Sequence, residues 1–337
     1  MVIKDRVLLV VFICYSFLTI GQAGGLNTTQ YFNTPLLFNP AETGHYDGKY
    51  RASALYGDQW QVWSTIYGSY EHKFQNKAGH SFDLGVGVFQ DGARSKSTGG
   101  ELALAGRFKL NETNFLTIAA NPSFFQVTNS DLNDLTQVDD YDPTTGTYNT
   151  NSLGREGFEN LNSPQGLSLD AGVLWSGDMN GTKIHTGLFV GNIISPDLSF
   201  LPSATTTSKA SMKIGVNGGA EFPLTPEILF VPRFMLENKL DTRETKYNAG
   251  MIGKYLVNDG GPVTALNFGP LMKTAGDISN VSVLGGVEFG SLALNISYDF
   301  NISPQAYGSA NGFEFSLIYI GKAKPVTICT RKVCPRF

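Results

Sequence analysis

Four histidines and three cysteines are the side chains of this sequence best suited to hold a metal or act as nucleophiles, and their spacing arranges neither chemistry. His45, His72, His80 and His185 are scattered, whereas a zinc site read from sequence needs further ligands at regular intervals. Glu71 beside His72, and His185 near Asp170, are the best acid–base candidates, but catalysis needs a nucleophile or carboxylate within hydrogen-bond reach of its base. No G-x-S-x-G, H-E-x-x-H or P-loop pattern occurs, and the Gly99-Gly100 and Gly218-Gly219 pairs fall within or beside strands rather than between a strand and a helix. An acidic stretch, Asp131-Leu132-Asn133-Asp134, offers oxygen ligands but lacks the twelve-residue calcium-loop spacing with its central Gly and terminal Glu. The expectation is a chain that is not an enzyme, with no metal site and no cofactor. Cys329 and Cys334 sit close together near the C-terminus, where they could close a small disulfide loop or remain free.

The compartment follows from the first residues. Lys4 and Arg6 precede an apolar run, Val7 to Ile20, and Gly21-Gln22-Ala23 ends it with small residues, the layout of a signal peptide over 1–23 that carries Cys14 away with it. The rest of the chain constrains the class. A net charge of −4 excludes a basic nucleic-acid binder. Charged residues make up 16%, below the roughly 25% of soluble domains, and 38 of 337 residues are Gly, above the usual ~7%. Past the first twenty residues no apolar run reaches the ~18 needed for a membrane helix. A membrane β-barrel or a soluble all-β protein remains.

From Lys49 onward the sequence alternates with period two in segments of about ten residues, broken by Gly, Asn, Asp, Ser, Thr and Pro clusters. Phe82, Leu84, Val86 and Val88 share one face while Asp83, Gly85 and Gly87 share the other. Leu294, Ile296, Tyr298 and Phe300 similarly alternate with Asn295, Ser297 and Asp299. Apolar residues out and polar or tiny residues in is the pattern of an outer-membrane barrel. About fourteen such segments predict an all-β fold, a closed transmembrane antiparallel barrel over 49–320, in the bacterial outer membrane. A long polar loop is expected at 127–164. An even count puts both ends of the strand series at one rim, expected to be periplasmic, with 321–337 a periplasmic tail. Tyr56, Trp60, Trp63, Tyr67, Phe74, Trp175, Tyr255 and Tyr319 are placed to form interfacial girdles.

The most specific signal precedes the barrel, in 24–48. Gln30-Tyr31, Pro35-Leu36, Asn39-Pro40-Ala41 and Gly44 form a Q-Y-x-x-x-P-L-x-x-N-P-A-x-x-G segment, followed by Leu55-Tyr56 and Gln59-Trp60 in an L-Y-x-x-Q-W strand end. Together these resemble the PorP/SprF family of outer-membrane proteins associated with the type IX secretion system of Bacteroidetes. Glu42-Thr43 and Gly57 depart from the residues common there. The resemblance implies a non-enzymatic barrel that works with other secretion components, whether periplasmic ring proteins or outer-membrane lipoproteins. It also implies contact with secreted cargo, in some members a gliding adhesin, and with outer-membrane lipid; nucleic acid is not a partner. The alternative is a passive porin or hydrophobic-solute channel. Because the Pro-Leu-Leu and Asn-Pro stretch is too apolar for a free arm, it is expected to plug the barrel or meet a partner. Gln30, Tyr31, Pro35, Leu36, Asn39, Pro40, Gly44, Tyr56, Gln59 and Trp60 are thus structural or partner-contact candidates.

Overall fold

Alternation that buries one face and exposes the other closes here into a single barrel of fourteen antiparallel strands. The computed structural model describes residues 28–59, 63–92, 95–129, 141–142, 147–148, 164–198, 209–242, 244–257, 260–275, 278–302 and 311–321. The leader at 1–23, Trp60, and the tail bearing Cys329 and Cys334 lie outside them. The strands are β1 (Tyr50–Gln59), β2 (Trp63–Gln75), β3 (Ser81–Gly92), β4 (Ser95–Lys109), β5 (Asn114–Asn129), β6 (Gln165–Met179) and β7 (Thr182–Ile194). They continue as β8 (Lys213–Pro223), β9 (Ile228–Lys239), β10 (Thr245–Leu256), β11 (Ala265–Ala275), β12 (Ile278–Phe289), β13 (Leu292–Asn301) and β14 (Gly312–Gly321). Each pairs with its sequence neighbour, and β14 pairs with β1 from Tyr50↔Gly321 to Asp58↔Phe313 to close the ring.

The long loop is shorter than expected at its start, because β5 continues to Asn129 in register with Ser95. It carries a small hairpin of its own, Tyr141–Asp142 against Thr147–Tyr148. The two rims differ. One carries the connections 76–80, 110–113, 180–181, 224–227, 257–264 and 290–291; the other carries the long ones, 130–164, 195–212 and 302–311, besides four short ones. We call these the turn rim and the loop rim. The first strand begins and the last one ends at the turn rim.

Side-chain direction follows the alternation. Phe82, Val86, Val88, Leu188, Ile296, Tyr298 and Phe300 are exposed on the outer wall, and Asp83, Asn295, Ser297, Asp299, Glu314 and Ser316 are buried inside. Tyr56, Phe74, Tyr255 and Tyr319 also face outward. Two of the aromatics expected in the girdles do not. Tyr67 is 2% exposed and packs in the lumen, and Trp63 turns inward to donate its indole N–H to Asp91 at 3.0 Å. Both follow the parity of β2, in which Thr65 and Glu71 are buried inside. The lumen is therefore not uniformly polar, since Leu55, Tyr67, Phe189 and Met235 form one apolar patch in it and Val231, Ile252, Leu271 and Leu284 another.

The register makes a direct test. Ile296→Arg places a charge on the outer wall and is expected to cost about 2–4 kcal/mol near the midplane, lowering the yield of heat-resistant folded barrel on gels. The same change at Ala293, which lines an open part of the lumen, should cost less. Equal losses at both sites would contradict the register.

Candidate functional site

What occupies the lumen is the segment ahead of β1. Pro35 and Pro40 disfavour helical backbone at the residues before them, and neither is helical: Asn39 is extended (φ −118°, ψ 108°) and Thr34 lies at φ −127°, ψ 51°. No α-helix can run through two such breaks. The chain folds instead into three 3₁₀ turns, Tyr31–Asn33, Pro35–Leu37 and Pro40–Glu42. Asn39 caps the third, accepting from the Ala41 N–H at 3.0 Å.

The path of this plug crosses the membrane. Its first described residues lie near the loop rim, where the Glu314 carboxylate accepts from Thr28 Oγ1 (3.1 Å), Thr29 N (2.6 Å), Gln30 N (2.8 Å) and Gln59 Nε2 (3.0 Å). Gln30 adds bonds from its Nε2 to Ser297 Oγ and to the Glu314 carbonyl, both 3.0 Å, and its Oε1 accepts from Ser316 Oγ at 2.8 Å. In mid-lumen, Leu36 is fully buried and lies over Gly85, where a Cβ would crowd it, while Ala41 packs against Ala105, Ala119 and Leu174. Asn39 donates to Asn217 Oδ1 at 2.8 Å and sits in a recess made by Gly172 and Gly187, where a Cβ on either residue would collide with its amide. Tyr31, Leu37 and Phe38 cover the Leu55, Tyr67, Phe189 and Met235 patch. At the turn-rim end, Gly44 has φ +75° and lies against Asp83, leaving no room for a side chain. Its N–H donates to Glu71 at 3.1 Å, and Glu71 is held by Arg51 at 2.7 Å.

The even strand count thus fixes where the strands begin and end but not the segment before them. Thr28 to Gln30 lie beside the loop rim, opposite the expected periplasmic side, because the plug runs along the lumen before entering β1.

Around the plug, the two halves of the lumen differ. The loop half holds a belt of buried charge, Asp91, Glu101, Asp170, Glu237, Lys246, Lys273, Asp299 and Glu314, all 9% exposed or less, with the partly buried Lys213 beside them. Lys213 pairs with Glu237 at 3.4 Å and Lys273 with Asp299 at 3.3 Å. The Thr29 hydroxyl joins this belt through Asp299 at 2.7 Å, and Glu101 accepts from Asn121 at 2.8 Å. The turn half contains an open vestibule of ≈660 Å³ floored by plug residues Tyr31, Phe38, Glu42 and His45. Within it the Glu42 carboxylate accepts from Asn217 Nδ2 at 2.6 Å and contacts His45 Nδ1 at 2.8 Å.

Of the sequence candidates, Gln30, Tyr31, Pro35, Leu36, Asn39, Pro40, Gly44 and Gln59 come together inside the barrel. Tyr56 does not: it is 41% exposed on the outer wall beside Phe313, at a 5.9 Å ring separation. Glu314 and Asn217 belong to no motif in the sequence, and Glu71 and His185, which stand out there only as acid–base candidates, meet the plug instead, at Gly44 and at Glu42. The alternation marks Glu314 as inward, and only the fold reveals that two motifs converge on it.

The family described as Type IX secretion system membrane protein PorP/SprF matches residues 21–319. No curated protein matches the chain. Among solved structures it is similar in fold to the Pseudomonas putida toluene transporter TodX, with a TM-score of 0.51 at 9% identity over 89% of this chain and 95% of that one. The CymD monoaromatic hydrocarbon channel gives a TM-score of 0.49 at 8% identity, covering 92% of this chain and 99% of that one.

Glu314→Ala would strand three plug donors and Gln59 without their acceptor. It is expected to destabilise the plugged barrel by about 3 kcal/mol, read as a lower temperature of loss of the heat-resistant form. Glu314→Gln, which keeps acceptor capacity, should lose less. A Glu314→Ala barrel as stable as wild type would remove the carboxyl from its anchoring role.

Proposed function

Since the chain belongs to the PorP/SprF family of type IX secretion system membrane proteins, we propose that this outer-membrane barrel serves the system as a plugged docking platform rather than as a conduit. In this reading the loop rim faces the cell surface and meets secreted cargo, a gliding adhesin where the system exports one. The turn rim faces the periplasm and meets ring components or outer-membrane lipoproteins, in keeping with short periplasmic turns and longer surface loops. The observation that carries the reading is the filled lumen: residues 28–44 run through it and the belt of buried charge closes its loop half. The motif residues of the plug are buried, so their role in this reading is to hold the platform's shape while the rims make the contacts. Asp47 and Lys183, paired at 2.8 Å and both well exposed beside the vestibule, are turn-rim residues open to a partner.

A second reading, a passive porin or hydrophobic-solute channel, draws on the vestibule. Its ≈660 Å³ is of small-molecule size, and Val231, Ile252 and Leu284 give it an apolar wall.

Two measurements separate the readings. A photo-crosslinking residue at Asp47 should capture other secretion components from outer membranes, and one at Leu188 on the outer wall should not. Purified wild-type barrel should give no single-channel steps in planar bilayers. Regular open-channel steps, with no adduct from Asp47, would favour the channel and defeat the platform.

A further inference from the structure

We propose that Glu42, His45 and His185 form a site for a divalent cation of the zinc class, and that the cation fastens the plug to strand β7. Glu42 and His45 lie three residues apart at the end of the plug's last turn, and His185 reaches them from β7. Their ligating atoms all lie within 4.8 Å of one another. His45 Nδ1 is 2.8 Å from Glu42 Oε2, His185 Nε2 is 3.7 Å from Glu42 Oε1, and the two imidazole centroids are 4.7 Å apart in an edge-to-face arrangement. Tetrahedral ligands at roughly 2.0–2.2 Å from zinc stand about 3.4 Å apart, so small side-chain shifts bring all three onto one ion.

The donor set selects the metal. Two imidazoles and one carboxylate suit zinc and its borderline neighbours, whereas calcium and magnesium require oxygen. Asn217 Nδ2, 2.6 Å from Glu42 Oε1, orients the carboxylate from behind, as outer-shell partners do at metal sites. All three ligands line the vestibule, which leaves a path for the ion and an open fourth position for water or a partner's side chain. One neighbour opposes the cation: Arg233, whose guanidinium lies 5.4 Å from the Phe32 ring centroid, lines the same vestibule. Its charge opposes the ion and weakens the site. The mechanical consequence is specific. The 3.7 Å approach of Glu42 to His185 is looser than a hydrogen bond, and coordination would turn it into a bond between plug and wall. This proposal stands apart from the platform reading and survives its failure.

The test uses full-length, untagged barrel in detergent, stripped with chelator and titrated with Co²⁺ and then Zn²⁺. One equivalent of Co²⁺ should bind with visible d–d absorption and be displaced by Zn²⁺. Glu42→Gln, His45→Gln and His185→Gln should each weaken binding by more than about 10-fold while retaining the heat-resistant barrel; His72→Gln, at a residue whose ring lies beside Phe74, should bind as wild type. Zinc should also slow amide exchange across 40–46 in the wild-type protein, a readout that needs no variant. Failure of the folded wild type to take up either cation, or binding that persists in His185→Gln, would overturn the proposal.

Discussion

A carboxyl group cut off from water on the strand that closes the barrel sets the terms for the rest of the molecule. Glu314 is fully buried on β14, and β14 pairs with β1. Stranding such a group without donors costs several kcal/mol. Its donors come from two places that the sequence keeps apart: Thr28, Thr29 and Gln30 on the plug, and Gln59 at the far end of β1. Ring closure brings Gln59 to it and plug insertion brings the other three. Neither event alone satisfies the carboxyl, so the seam and the plug stabilise one another.

The same logic of paired surfaces explains the lumen's uneven chemistry. An outer-membrane barrel needs an apolar exterior, and this one has it, but a plug with Tyr31, Leu36, Leu37 and Phe38 needs apolar partners inside as well. Leu55, Tyr67, Phe189 and Met235 supply them. Small residues supply the remaining fit: Ala105 and Ala119 let Ala41 approach the wall, and the Gly172–Gly187 recess admits Asn39. Where the plug thins towards the loop rim, charged side chains fill the space and neutralise one another, as Lys273 and Asp299 do around Thr29.

Much of this was legible in the sequence, and the part that was not shares a cause. Alternation depends on residues two apart, so the fourteen strands, their facing and the inward position of Glu314 could be read locally. The motif that resembles a known family drew attention to Gln30, Asn39, Gly44 and Gln59, and each has a hydrogen-bond partner at a fixed place in the fold. What spacing could not reveal was the partner. His45 and His185 look scattered because β7 returns to the plug only after six strands have been laid down, and Trp63 and Tyr67 look like girdle aromatics because position near a strand end says nothing about facing. Parity within β2, with Thr65 and Glu71 as its polar members, holds that information, and it outweighs the general preference of aromatics for the interface.

The division of labour along the plug bears on whether the lumen opens. If the plug withdrew, water would enter and replace part of its polar bonds to Glu314 and Glu71, so these ends hold it by less than the several kcal/mol that a dry, stranded carboxylate costs. Its centre is different. Full burial of a large apolar side chain contributes about 1.5–3 kcal/mol, so Tyr31, Leu36, Leu37 and Phe38 together hold the plug by up to roughly 6–12 kcal/mol, an upper bound because an expelled segment would not be fully extended. Thermal motion does not overcome a term of that size often enough to make a resting pore. Surfaces open to proteins without that cost are the two rims, and the vestibule is where the turn rim and the plug's underside meet.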